Sequence, residues 1–257
     1  METNAEVKYS FRLLLLASAL TLVLWFIPLA GVVTYPIRLF VTYIHEIGHA
    51  LAALATFGGV NRVALDWGGS GVTFTQGGWG ILISTAGYVT TTLYGSGLLL
   101  LLRKARNARA AAAVTGGMLL LMTVLFAGNI VAWLAGLVLG VGCLLIGLKA
   151  SRGFAHFFMS FLAVQCILNA FYDLRALLYL SAFDPELATD ARNMSQATGG
   201  LLPPIAWALV WALLSAVVVV YTLVLYSRSL RRQTSLSDTP IPALITDQSA
   251  NSTASRL

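Results

Sequence analysis

The sequence predicts an all-α polytopic membrane protein with about seven transmembrane helices and a short Gly-rich β-hairpin after the second. Two observations support this class. Apolar residues make up 58% of the chain, and Asp, Glu, Lys and Arg only 10%, whereas about 25% of the residues in a soluble domain are charged. The apolar residues also form long runs, several of which approach the roughly 20 residues that cross a bilayer.

Short polar joints separate the apolar runs, and each run defines one predicted span. The spans are Leu13–Val33, Ile37–Phe57, Trp79–Leu102, Ala110–Ala127, Ile130–Leu148, Phe154–Leu180 and Leu201–Tyr226. The fourth and fifth are separated only by a tight turn at Gly128-Asn129, so six or eight spans remain possible. The first span reads as a retained anchor because its apolar run is long and lacks a small-x-small cleavage site.

The net charge of +6 does not indicate a nucleic-acid-binding protein, because Lys and Arg lie in the joints, where they act as orientation signals. With seven spans, the side that receives Arg103–Arg109 and Arg228–Arg232 is the more basic one. We expect this side, and the C-terminus with it, to be cytoplasmic. The chain divides into an N-terminal segment (1–12), a membrane domain (13–232) and a disordered Ser/Thr-rich tail (233–257).

The second span contains the sequence His45-Glu46-Ile47-Gly48-His49. Positions i and i+4 share one face of a helix, so both histidines can bind one metal ion while Glu46 lies beside it as a base. This is the H-E-x-x-H zinc pattern. Gly48 leaves room for the close approach of another helix or of a substrate backbone. The alternative is a pair of histidines that bond to neighbouring helices or line a water-filled cavity without metal.

A catalytic zinc ion usually has three protein ligands, and Asp173 is the best candidate for the third. It lies in a stretch of the sixth span that contains several polar residues, and Asn169 precedes it by four residues on the same helical face. A structural aspartate paired with another group is the alternative. Two other candidates are weaker. His156 lies near a basic connection, where a lone histidine is typically hydrogen bonded. Asp66 lies in a Gly-rich loop, where an aspartate typically caps a turn.

The segment between the second and third spans has the pattern of a β-hairpin. Val63, Leu65 and Trp67 alternate with polar or small residues, as do Val72 and Phe74, and glycines separate the two runs. In lipid such a hairpin must pack against protein, line a cavity or lie at the interface, because its edges carry unpaired backbone groups. An edge strand beside a metal could hold an extended substrate by strand addition. A mere connecting hairpin is the alternative.

These residues resemble the site-2 protease family of intramembrane zinc metallopeptidases, and especially its compact B-like branch. The likeness covers most of the membrane domain and depends on His45-Glu46-x-x-His49-Ala50, the Gly-rich β segment and Asn169-x-x-x-Asp173. It implies that His45, His49 and Asp173 bind zinc and that Glu46 activates a water molecule. It also implies that Asn169 orients the site or the substrate carbonyl.

The expected function is therefore that of an intramembrane zinc metalloprotease acting on membrane protein or peptide substrates within the lipid bilayer. The membrane domain (13–232) would be metallopeptidase-like, with no nucleic-acid partner and an undetermined oligomeric state. A catalytically inactive scaffold of the same fold is the first alternative. The second is a metal-ion or proton transporter, which should show further ionisable residues in other spans or an internal repeat; the sequence has neither.

Overall fold

In a computed structural model of the chain, the described residues are 12–13, 15–16, 18–21, 23, 30–183 and 189–237, with the backbone alone at 30, 33, 169–178, 180–182 and 229–237. The predicted N-terminal segment therefore lies almost wholly outside the described residues. The same is true of residues 238–257 in the predicted tail. The described part is mostly helical and includes one small hairpin, as the sequence predicts.

In the described residues from Ala30 onward, seven helices and two strands follow one another. They are α1 (Ala30–Ala55), β1 (Gly59–Leu65), β2 (Gly71–Gln76), α2 (Gly80–Leu101), α3 (Ala108–Phe126), α4 (Ile130–Lys149), α5 (Arg152–Phe183), α6 (Asp190–Ala197) and α7 (Pro204–Ser237), with a 3-10 turn at Ala105–Asn107 before α3. All the helices except α6 coincide broadly with the second to seventh predicted spans. The short helix α6 was not predicted.

Three helical segments in the described part of the chain are long and apolar enough to cross a membrane. They are Ala105–Phe126, Ile130–Lys149 and Pro204–Arg228. They support an integral membrane protein, but they do not confirm the predicted count of seven spans. Helices α1 and α2 are less apolar because α1 carries His45, Glu46 and His49, and α2 carries several serines and threonines.

Helix α1 lies at the centre of the main hydrophobic cluster. Phe40, Tyr43, Ile44 and Ile47 recur at the three- and four-residue spacing of one helical face, and each is at most 2% exposed. They pack with residues of β1 and of α2 to α5. The Tyr43 hydroxyl also hydrogen bonds to a threonine hydroxyl of α3, at 2.8 Å. This surrounded position fixes the helix that carries the histidine motif.

The hairpin is antiparallel, with Val63 opposite Thr73 and Leu65 opposite Gly71. Strand β1 also bonds on its other edge to the turn between α3 and α4. The Gly128 N–H donates to the Val63 carbonyl at 2.8 Å, and the Asn129 side-chain amide donates to the Leu65 carbonyl at 2.6 Å. The Leu65 N–H in turn donates to the amide oxygen of Asn129 at 3.3 Å. The predicted tight turn is confirmed, and it holds β1 in place.

A second, smaller hydrophobic cluster joins α2, α6 and α7. Its buried members are Tyr88, Ala191, Met194, Ala208 and Trp211. The turn between α6 and α7 contains Gly199 and Gly200, both with positive φ (65° and 77°), a conformation that glycine adopts without strain. Helix α6 is thus attached to the rest of the molecule by the small cluster and not by the main one.

Candidate metal centre

His45 and His49 lie one turn apart on α1, on the side that faces α2. Their ring centroids are 4.8 Å apart at an interplanar angle of 72°. Gly48 lies between them in sequence, and a Cβ there would be 2.7 Å from the Ala86 carbonyl oxygen and 2.8 Å from the Thr90 side chain. The close helix approach predicted at Gly48 is therefore confirmed.

The ring of His49 is oriented by a hydrogen bond to the backbone of α2. Its Nδ1 lies 2.7 Å from the Ile83 carbonyl oxygen, which can only accept, so Nδ1 carries the proton. A neutral imidazole that donates from Nδ1 has its lone pair on Nε2. A backbone carbonyl bonded to the second ring nitrogen is the usual support of a metal-binding histidine.

Asp190 brings a carboxylate to both histidines. Its Oδ2 lies 3.0 Å from Nε2 of His45 and 3.4 Å from Nε2 of His49. Asp190 is the first residue of α6, whose N-cap is Thr189: the Thr189 hydroxyl accepts the Arg192 N–H at 3.2 Å. Asp190 was not predicted from the sequence. The capping residues there indicate a short helix, but no local signal shows which part of the fold that helix reaches.

The two histidines favour the ionised form of Asp190. Burial alone would raise the pKa of its carboxyl, but the positive charge of protonated His49 and the hydrogen bonds from His45 and His49 hold it well below its ordinary value. Metal binding requires the neutral form of His49. The site therefore combines one carboxylate oxygen with two imidazole nitrogens, and the three ligand atoms lie within 4.8 Å of one another. Ligands of a tetrahedral zinc ion are about 3.3 Å apart, given bonds of about 2.0–2.1 Å. The donor set fits zinc after small shifts.

Helix α2 leaves space in front of both Nε2 atoms. A Cβ added at Gly87 would lie 2.5 Å from Nε2 of His49 and closer still to Nε2 of His45. No residue other than glycine could stand there without displacing the rings. Glycine at this position therefore keeps the space in front of the two ring nitrogens open, as a metal site would require.

Glu46 is buried on the face of α1 that packs against the hairpin. It is 3% exposed, and the Thr73 hydroxyl donates to its Oε2 at 2.6 Å. A Cβ at Gly71 would lie 2.7 Å from Oε1. The charge of Glu46 also acts on His49. Strand β2 thus encloses a carboxylate that lies next to the histidine pair.

The ring of His45 packs against an aromatic pair. The Tyr88 ring meets it edge to face, with centroids 4.8 Å apart at 89°. Trp211 of α7 stacks on Tyr88 at 5.3 Å and 20°. Tyr88 of α2 and Trp211 of α7 both belong to the small cluster, so this cluster reaches His45 through Tyr88. Helix α6 reaches both histidines through Asp190.

The remaining predicted residues have different outcomes. Asn169 and Asp173 lie in α5, but their side chains are outside the described residues, so their roles stay predictions. His156 is buried, and its Nε2 donates to the Leu102 carbonyl at 2.8 Å. Asp66 accepts hydrogen bonds from the backbone and hydroxyl of Ser70, which lower the pKa of its carboxyl. The structural interpretations of His156 and Asp66 are confirmed.

The model of the Peptidase M50B-like family matches residues 14–222. The chain therefore belongs to this family, as its resemblance to the site-2 proteases predicted. No curated protein and no solved structure matches it.

Proposed function

We propose that this member of the Peptidase M50B-like family is an intramembrane zinc metalloprotease that hydrolyses peptide bonds of membrane-associated substrates. One observation carries the proposal: Nε2 of His45, Nε2 of His49 and a carboxylate oxygen of Asp190 lie within 4.8 Å of one another, while Glu46 is buried next to His45 in the chain. Two histidines and a carboxylate are the ligands of many catalytic zinc sites. The family match supports a peptidase with a protein substrate in the membrane.

For the third zinc ligand we propose Asp190. Among the described residues, its carboxylate is the one that lies within hydrogen-bonding distance of the histidine pair. Asp173, predicted from the family pattern, remains the competing candidate. The two aspartates are separated by the end of α5, so their contributions can be measured independently.

The chain's own residues divide the chemistry between them. Zinc, when bound, would lower the pKa of water and polarise the substrate carbonyl. Glu46 would accept the proton of the attacking water and return it to the leaving amine. His49 keeps its orientation through the Ile83 carbonyl, and the burial of Glu46 strengthens the electrostatic interactions at the site.

The hairpin would hold the substrate in extended form. Within the described ranges, strand β2 pairs with β1 alone, so its other edge is free for strand addition. Glu46 contacts Gly71 and Thr73 of that same strand. A peptide paired with β2 would therefore pass near the base. A helical substrate must unwind first, because helical carbonyls are already hydrogen bonded.

In the membrane we propose seven spans, formed by the predicted first span together with α1 to α5 and α7. The joints after α2 and α4 and the end of α7 then lie on one side. They carry the basic residues Arg103, Lys104, Lys149, Arg152 and Arg228. The positive-inside rule makes that side, and the C-terminus, cytoplasmic.

The test compares the wild-type protein with Glu46→Gln and His49→Ala, each measured for zinc content and for cleavage of a transmembrane peptide in liposomes. We expect Glu46→Gln to keep zinc, but its cleavage rate should fall by about 100-fold or more, because a general base contributes about that much to the rate. His49→Ala should lose both.

Two results would overturn the proposal. If Glu46→Gln cleaves as fast as the wild type, Glu46 is not the base. If the wild-type protein holds zinc and cleaves nothing, the chain is a scaffold of the peptidase fold.

A further inference from the structure

The second strand of the hairpin makes a specific contact with the proposed base. The Thr73 hydroxyl lies 2.6 Å from Oε2 of Glu46 and 3.1 Å from the main-chain oxygen of the same residue. One hydroxyl of β2 thus reaches both the side chain and the backbone of Glu46. A hydroxyl has one proton, and the charged carboxylate at the shorter distance receives it.

The Glu46 carboxylate also lies against Gly71 of β2. Gly71 lies two residues before Thr73, so both point to one face of β2, and a Cβ at Gly71 would lie 2.7 Å from Oε1 of Glu46. The hydroxyl holds one carboxylate oxygen, and the bare backbone at Gly71 leaves room for the other. Among the described residues, the carboxylate therefore has one hydrogen-bond donor, and it has little space in which to turn.

We propose that Thr73 is a positioning residue that fixes the orientation of the Glu46 carboxylate, so that the hairpin sets the geometry of the base. The inference deepens the proposed function and depends on it. Glu46 lies on α1, whereas Thr73 lies on the strand that would bind the substrate. Substrate alignment and base alignment thus depend on the same strand.

The consequence concerns the rate of the chemical step. A carboxylate that turns freely spends less time aimed at the attacking water, and catalysis is sensitive to such misplacement. Loss of the Thr73 hydroxyl should lower kcat and leave both zinc binding and KM nearly unchanged, because the histidines and the backbone of β2 remain.

The test uses Thr73→Val, which keeps the shape of the side chain and removes the donor, and Thr73→Ser, which keeps the donor. Thr222→Val is the matched control, because Thr222 is a buried threonine of α7 whose hydroxyl donates to the Val218 carbonyl of its own helix. We expect kcat to fall about 10- to 100-fold in Thr73→Val, because this variant loses a hydrogen bond to a charged group. Thr73→Ser and Thr222→Val should stay within about threefold of the wild type, since both keep that hydrogen bond.

A second readout does not need hydrolysis. The infrared difference between the wild type and Glu46→Gln isolates the carboxylate band of Glu46, and this band should shift in Thr73→Val but not in Thr222→Val. An unshifted band, or an equal loss of kcat in both valine variants, overturns the inference.

The outcomes also separate this inference from the proposed function. Cleavage by the wild type that is lost in Glu46→Gln but kept in Thr73→Val overturns the role of Thr73 alone. A zinc-loaded wild type without cleavage overturns both, because Thr73 then has no base to position, and the infrared band would show the contact to be structural only.

Discussion

The two hydrophobic clusters of this protein hold different parts of its candidate metal centre. The main cluster surrounds α1 and so fixes the helix that carries His45, Glu46 and His49. The small cluster attaches α6, and with it Asp190, to α2 and α7 through five buried residues. The histidines are thus set by local helical spacing inside a large core. The position of the carboxylate depends on the packing of a few side chains.

This difference predicts unequal sensitivity to substitution. A substitution at Gly87, in front of the two histidines, should lower zinc affinity most. Loss of the Asp190 carboxylate should lower it less, and a substitution in the small cluster should lower it least. Zinc affinity, measured by competition with a chelator, is a common scale for all three.

Gly87→Ala should have the largest effect. Its Cβ would fall in the space before both Nε2 atoms, so the rings would have to turn away from each other. We expect zinc affinity to fall by at least about 100-fold, beyond the usual effect of losing an outer supporting residue. Gly97→Ala is the control on the same helix, because a Cβ at Gly97 has nothing within 4 Å. Equal affinities for the two variants would mean that zinc does not bind beside Gly87.

Asp190→Asn should have an intermediate effect. It removes the charge beside the histidines but keeps a weaker oxygen ligand, so we expect affinity to fall by about 10- to 100-fold. The same titration of Asp173→Asn decides between the two aspartates. If Asp173→Asn binds zinc weakly and Asp190→Asn binds it normally, Asp173 is the third ligand and Asp190 only bonds to the histidines.

Trp211→Leu should have the smallest effect. It removes the ring that stacks on Tyr88 and thereby loosens the packing on His45. An aromatic pair contributes about 0.5–1.5 kcal/mol, which corresponds to about a 3- to 10-fold loss of affinity. Trp133→Leu on α4 is the control, since Trp133 is 36% exposed and belongs to neither cluster. A loss as large in the control would show that Trp211 acts through general stability.

The features predicted best were those that depend on residues close together in the sequence. The spacing of His45 and His49 places them on one helical face, and the alternation around Gly68–Gly71 predicts the hairpin. The Gly128-Asn129 turn was predicted too, although its hydrogen bonds to β1 were not. Those bonds join residues 64 positions apart, and no local pattern specifies such a pairing.

Asp190 could not be predicted for the same reason. It lies in a polar joint, where an aspartate at the start of a helix is usually explained by capping alone. The packing of Tyr88, Ala191 and Met194 brings that helix to the histidines.

The number of membrane spans is a different case. The histidines and the glutamate of α1 that build the site also lower the apolar character by which a membrane helix is recognised.

The bonds of Asn129 constrain how the connection between α3 and α4 can vary among related chains. Connections at the ends of helices ordinarily tolerate insertions and deletions. Here Asn129 caps α4 through the Ala132 N–H and also bonds to both backbone groups of Leu65. One additional residue would break either the cap or the pairing with β1. We expect relatives to keep the length of this connection even where the apolar residues on either side of it differ.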